Sequence, residues 1–208
     1  AAPSPTAMSG TGGDTLAAAG APAAPGALAP DSMAGRDTVA GAESPDKRPV
    51  ADVRLEVNLQ TRQLAVFRGQ TQTGTYGVAV GSPEWPTRTG EWRVTQVVWN
   101  PEWTPPDESW AEQREPRKPG DPKNPLGRAQ LIYDPPRTVH GTNEPQSIGK
   151  AVSHGSIRMR NEDITRLGRE LMEATGAAKD DAWYRRAQAE RTVKQVVDLP
   201  RVVPIRVY

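Results

Sequence analysis

His140–Ile164 reads HGTNEPQSIGKAVSHGSIRMRNEDI. It holds both histidines of the 208-residue chain, and each precedes a glycine, in His140-Gly141-Thr142 and in Ser153-His154-Gly155-Ser156. Glycine beside a titratable ring lets the backbone approach a reacting group closely. A catalytic zinc would need three protein ligands at a recurring spacing. The chain has no cysteine, and no carboxylate stands at such a spacing from the two histidines, so neither a metal nor another cofactor is expected. Nucleophilic catalysis fits better. The N–H groups of Gly155 and Ser156 could stabilise an oxyanion if their turn is tight. Arg158 suits a substrate carboxylate, whereas Arg160 reads equally well as a solvated charge. The G-x-S-x-G elbow of serine hydrolases is excluded, because positions 154 and 158 are His and Arg.

On the C-terminal side, Asn161 reads as a helix N-cap, followed by Glu162 and Asp163 in the first turn and an apolar stripe of Ile164, Leu167, Leu171 and Met172 ending near Gly176. A second, weaker helix is expected from Asp180/Asp181 to about Val197, stopped by Pro200, with a closing strand over Arg201–Tyr208. On the N-terminal side, prolines crowd Asn100–Arg137, which reads as one long loop, packed in part through Trp99, Trp103 and Trp110 over a cleft. Before it, Val53, Leu55 and Val57 alternate with Asp52, Arg54 and Glu56, the period of a half-buried strand. Gln63–Arg68, Thr75–Val80 and Trp92–Val98 are further strands.

Residues 1–50 contain 14 Ala, 7 Gly and 7 Pro and no aromatic side chain, while all eleven aromatics follow. Such a segment cannot offset the entropy of ordering its backbone and is expected to be a disordered tail or linker. At 50 residues it would span roughly 40 Å, enough to tether a domain across an envelope gap, and a processing remnant with no role fits it equally well. Residues 51–208 suit one domain. The formal charge of +1 offers no footprint for nucleic acid. No apolar run approaches the ~18 residues of a membrane helix. The oligomeric state is not legible.

The stretch from His140 to Ile164 resembles the signature of the L,D-transpeptidase (YkuD-like) catalytic domain: a His-Gly, then Ser/Thr-His-Gly-Cys, a hydrophobic residue and Arg or Asn. VNLQTRQLAVFRGQ, YGVAVGSPEWPTRTGEW, NPEWTPP and NPLG at 124–127 match upstream pieces in order. The resemblance covers roughly 51–208. It implies a mainly β fold of two packed sheets in a sandwich, with the long Pro/Trp-rich loop and C-terminal helices. It also implies an exported, periplasmic or cell-envelope enzyme acting on peptidoglycan stem peptides, its signal sequence absent from this chain. Such an enzyme takes the acyl group of a tetrapeptide's third residue, releases the terminal D-Ala and passes the acyl group to an acceptor amine. By position His140 becomes the general base, oriented by the Gly141 carbonyl; Ser153, His154 and Gly155 shape the nucleophile turn; and Arg158, Ser153 and Thr142 contact substrate.

One position departs from the signature. Ser156 stands where the resemblance places a catalytic cysteine. A thiol's pKa of about 8.5 lies within two units of an imidazole's, whereas a serine hydroxyl must lose its proton in concert with attack. The chain as written is therefore expected to be inactive or slow. An engineered single-atom swap, a natural serine enzyme and a non-catalytic peptidoglycan-binding pseudoenzyme all fit the serine. A serine peptidase or esterase acting on other acyl groups lacks its motif.

Overall fold

The computed structural model describes residues 46–208. The Ala/Pro/Gly-rich segment expected to be disordered lies outside the described residues up to position 45. Its last five residues, Asp46–Val50, are packed against the domain. Arg48 donates to the Thr95 and Leu199 carbonyls at 3.2 and 2.9 Å, and Val50 bridges Val202. The folded part thus starts before residue 51, because an arginine in the proline-flanked stretch finds backbone acceptors far along the chain.

Ten strands and two helices follow. The strands are β1 (Val53–Asn58), β2 (Gln63–Arg68), β3 (Thr71–Gly77), β4 (Val80–Gly81), β5 (Gly90–Trp99), β6 (Ala129–Asp134), β7 (Arg137–His140), β8 (Ala151–Ser153), β9 (Ile157–Arg158) and β10 (Gln195–Val207). The helices are α1 (Asn161–Thr175) and α2 (Asp181–Ala189). Eight strands form one sheet in the order β3-β2-β1-β10-β5-β6-β7-β9, and β4 and β8 form a small parallel pair. The fold is mainly β, as the resemblance implies, with two sheets of very unequal size. Among the described residues no helix is long and apolar enough to cross a membrane.

The alternation read in β1 is realised: Val53, Leu55 and Val57 are buried while their neighbours are half-exposed. The turn into β2 is held by Asn58 Oδ1, which accepts from the Thr61 N–H at 2.9 Å. Ile164, Leu167, Leu171 and Met172 are fully buried, so the α1 stripe does face the core. Burial at this scale stabilises by about 1.5–3 kcal/mol per side chain. Trp99, expected on the loop, instead ends β5 inside the core, edge-on to Trp183 at 5.8 Å.

Three expectations are corrected. The stretch Asn100–Arg137 is not one loop, since β6 runs through it with Ala129, Leu131 and Tyr133 buried in alternation. The second helix ends at Ala189 rather than near Val197, and β10 begins at Gln195. β10 continues past Pro200 because its pairing with β5 breaks between Asp198 and Val203, where an irregularity spares the ladder the missing proline N–H. Asn161 is not the N-cap. Arg160 occupies that position with no side-chain cap, and the Asn161 amide is used elsewhere.

The sheet also curls until its ends meet. Ala79, just after β3, exchanges both backbone hydrogen bonds with Arg158 of β9, at 2.9 and 2.8 Å. β9 is only two residues long, yet it has β7 on one side and Ala79 on the other. That double pairing fixes the segment carrying Ser156.

Candidate active site

β7 and β9 run parallel, with Val139 opposite Ile157 and His140 opposite Arg158. Val139 and Ile157 are fully buried. Successive side chains alternate between faces, so Thr138 and His140 share the other face with Ser156 and Arg158. In this register Ser156 lies across from Thr138 and diagonal to His140. A strand spacing near 4.8 Å and a rise near 3.3 Å put their Cα atoms about 8 Å apart. Both side chains line one cleft of about 900 Å³. Its opposite wall comes from the segment between β5 and β6, with Trp103 and Trp110 facing the floor.

The His140 ring is 5 % exposed, and its Nδ1 lies 2.6 Å from the Gly141 carbonyl oxygen. That oxygen can only accept, so Nδ1 carries the proton and Nε2 keeps the lone pair in the neutral ring. Burial is the main cause that pulls the pKa down to about 4; the Arg158 charge adds to it and the Gly141 carbonyl opposes it. At neutral pH the ring is an uncharged base.

The Gly141 peptide is locked from behind. Asn161 Oδ1 accepts from the Arg128 N–H at 2.9 Å, and its Nδ2 donates to the Thr142 carbonyl at 2.9 Å. A Cβ at Gly141 would stand 2.3 Å from Asn161 Oδ1, so this close approach needs glycine. Gly141→Ala is expected to cost about 1–3 kcal/mol through overpacking. An unchanged urea midpoint would show that the contact is slack.

At the nucleophile turn Gly155 has a φ of +95°, which turns the chain back toward β9. Ser153 Oγ donates to the Ser156 carbonyl at 2.5 Å and closes the turn from within. Among the described residues neither the Gly155 nor the Ser156 N–H meets a protein acceptor, leaving both free for an oxyanion. Ser156 Oγ accepts from the Thr138 N–H at 3.3 Å. Among the described residues no hydrogen bond joins it to the His140 ring.

His154 lines the same cleft, with its ring held by the wall. Its ring stacks on Trp110 at 4.0 Å and 16°, with Trp85 tilted beside it at 5.9 Å. Burial lowers its pKa as well. It fastens the loop wall to the turn. Arg158 lines the cleft, and its guanidinium donates to Glu144 at 2.7 Å. Thr142 is 2 % exposed, and its Oγ1 accepts from the Glu144 N–H at 3.0 Å, which ties the side chain to the loop. Arg160 is exposed.

Several residues of the cleft escape a reading by motif. Arg137 opens β7 and faces Glu108 at 3.6 Å; Glu144 holds Arg158; Trp85 and Glu108 brace the wall. All act through partners distant in sequence. Asn161 stands out in the sequence only as a helix N-cap, whereas its amide braces the Gly141 peptide. Among the described residues no three His, Asp or Glu side chains converge as a metal site.

Comparison with known proteins gives one answer. Residues 52–178, more than half of the chain, match the model of the L,D-transpeptidase catalytic domain, YkuD. YqjB of Bacillus subtilis (strain 168), assigned by name to the L,D-transpeptidases, is 35 % identical over 122 residues, which cover 56 % of this chain and 64 % of that protein. YbiS of Escherichia coli (strain K12), assigned likewise, is 44 % identical over 78 residues, 35 % of this chain and 26 % of that one. The chain thus spans less than two thirds of the length of these relatives. A solved L,D-transpeptidase from Mycobacterium smegmatis aligns with a TM-score of 0.48 at 15 % identity, over 76 % of this chain and 59 % of that one. On the family match to residues 52–178, the chain belongs to the L,D-transpeptidase catalytic-domain family.

Proposed function

We propose that this domain binds the stem peptides of peptidoglycan and is built for acyl transfer from a tetrapeptide, with release of the terminal D-Ala, to an acceptor amine. It would work in the cell envelope, where that substrate is. The observation that carries the reading is the neutral, tautomer-fixed His140 sharing a cleft with Ser156, whose turn offers two free N–H groups. In the reaction the nucleophile's proton passes to His140 Nε2 as its atom bonds to the carbonyl carbon. The developing oxyanion meets the Gly155 and Ser156 N–H groups. The leaving amine then takes the proton from His140, and the acceptor amine repeats the sequence in reverse.

A serine at position 156 fits this machinery poorly. Its hydroxyl is engaged by the Thr138 N–H rather than by the base. The same observation supports a second reading, a peptidoglycan-binding domain that does no chemistry. Incubating the Ser156→Cys variant with a muropeptide tetrapeptide and following the products by mass spectrometry separates the two. Release of D-Ala and a cross-linked dimer is expected. Intact tetrapeptide after prolonged incubation, with binding retained, would leave the binding domain.

A further inference from the structure

Two guanidinium groups line the cleft beside Ser156, and they differ in what holds them. Arg158 is engaged by Glu144 through a charge-assisted hydrogen bond of 2.7 Å. The Arg137 guanidinium makes no hydrogen bond among the described residues. Its Nη2 lies 3.6 Å from Glu108 Oε1, beyond hydrogen-bond range, and the other Glu108 oxygen accepts from Trp110 Nε1 at 2.8 Å. Its Nε is buried with no partner. Buried donors in native proteins are nearly always satisfied, and each exception asks for an explanation. The side chain also lies along the nucleophile turn: a Cβ at Gly155 would stand 3.1 Å from Arg137 Nε and 3.5 Å from its Cδ.

We infer that Arg137 binds the C-terminal carboxylate of the donor peptide and so restricts the site to a scissile bond one residue from a free chain end. This rests on the stem-peptide reading given above. When the last residue of a peptide is the leaving group, its carboxylate carbon is three bonds from the scissile carbonyl carbon. Standard bond lengths place it about 3–4 Å away. The carboxylate must therefore lie next to the nucleophile turn, where Arg137 touches Gly155. A guanidinium whose donors are not yet spent can take it in a planar, two-point contact. Lys194 is held by Glu102 at 2.6 Å, and of the other cations lining the cleft (Arg114, Arg117, Lys123) none lies against Gly155 as Arg137 does. A C-terminal amide would offer Arg137 one acceptor oxygen, put an N–H group opposite the second donor and bring no charge.

The test is equilibrium binding, by titration calorimetry, of a stem tetrapeptide as free acid and as C-terminal amide. It uses the serine chain, which should hold the peptide without consuming it. The free acid is expected to bind about 10- to 100-fold more tightly, the range of one charged hydrogen-bonded contact. Arg137→Gln should erase that preference, Arg137→Lys should restore part of it, and Arg158→Gln should leave it in place. A preference that survives in Arg137→Gln, or that vanishes in Arg158→Gln instead, overturns the assignment. Equal binding of acid and amide by the unmodified chain overturns it too, with the stem-peptide reading intact. Binding of neither peptide removes both.

Discussion

Ser156→Cys is expected to raise the rate of covalent acylation by a carbapenem about a thousandfold or more, read as the appearance of an adduct by intact-mass spectrometry. The physical reason lies in the base. His140 is buried beside Arg158, so both desolvation and a like charge oppose the imidazolium that must form when it accepts a proton. A serine hydroxyl cannot supply a compensating anion before attack; a thiol, with a reference pKa of about 8.5, can. A thiolate would also offset the charge on the ring. In addition, the Ser156 oxygen is bonded to the Thr138 N–H and not to His140. General-base assistance contributes about 10²–10⁴ in rate when donor and base are in contact. An adduct forming as fast on the serine chain as on the cysteine variant would show that the base needs no help.

In the Ser156→Cys background, His140→Ala is expected to slow acylation by about 10²–10⁴, the worth of a positioned base. Burial holds the ring neutral down to about 4 in the serine chain, whereas in the cysteine variant the acid limb belongs to the coupled Cys–His pair and should be lost with His140→Ala. Stability should follow the same group. The folded pKa is depressed from 6.5 to about 4, so between those values the unfolded chain binds the extra proton. Stability from this group is complete above pH 6.5 and is lost as pH falls toward 4, by about 3 kcal/mol at 1.36 kcal/mol per unit. Urea midpoints measured across that window should slope downward toward acid in the serine chain and flatten in His140→Ala. A slope that is the same in both would take His140 out of the linkage.

The parts of the fold legible in the sequence are those whose physics is local. β1 and β2 alternate, and α1 carries its stripe and its glycine stop, because each element buries one face of its own residues. β6 was hidden by the prolines on either side of it. β7, β8 and β9, of four, three and two residues, are too short to show a period. β10 carries two prolines that argue against a strand until its partners are known. The candidate site divides in the same way. His140, Gly141 and Ser156 stand out as a motif with a chemical rationale. Thr142 does not reach the cleft, Glu144 claims Arg158, and Arg137 presses on Gly155 only because β7 and the turn are brought together from residues 18 apart. A linear pattern can name the reacting groups but not the neighbours that tune them.

The family likeness stops at residue 178, yet β10, at 195–207, lies in the middle of the large sheet between β1 and β5. It is the keystone of the arch. A fragment cut at the end of the family-model match would keep every reacting side chain and lose the strand that pairs with both β1 and β5 in the middle of the large sheet. Two half-sheets with raw inner edges would remain, prone to stick to their own kind. The catalytic module of this protein extends well beyond the segment by which its kinship is detected.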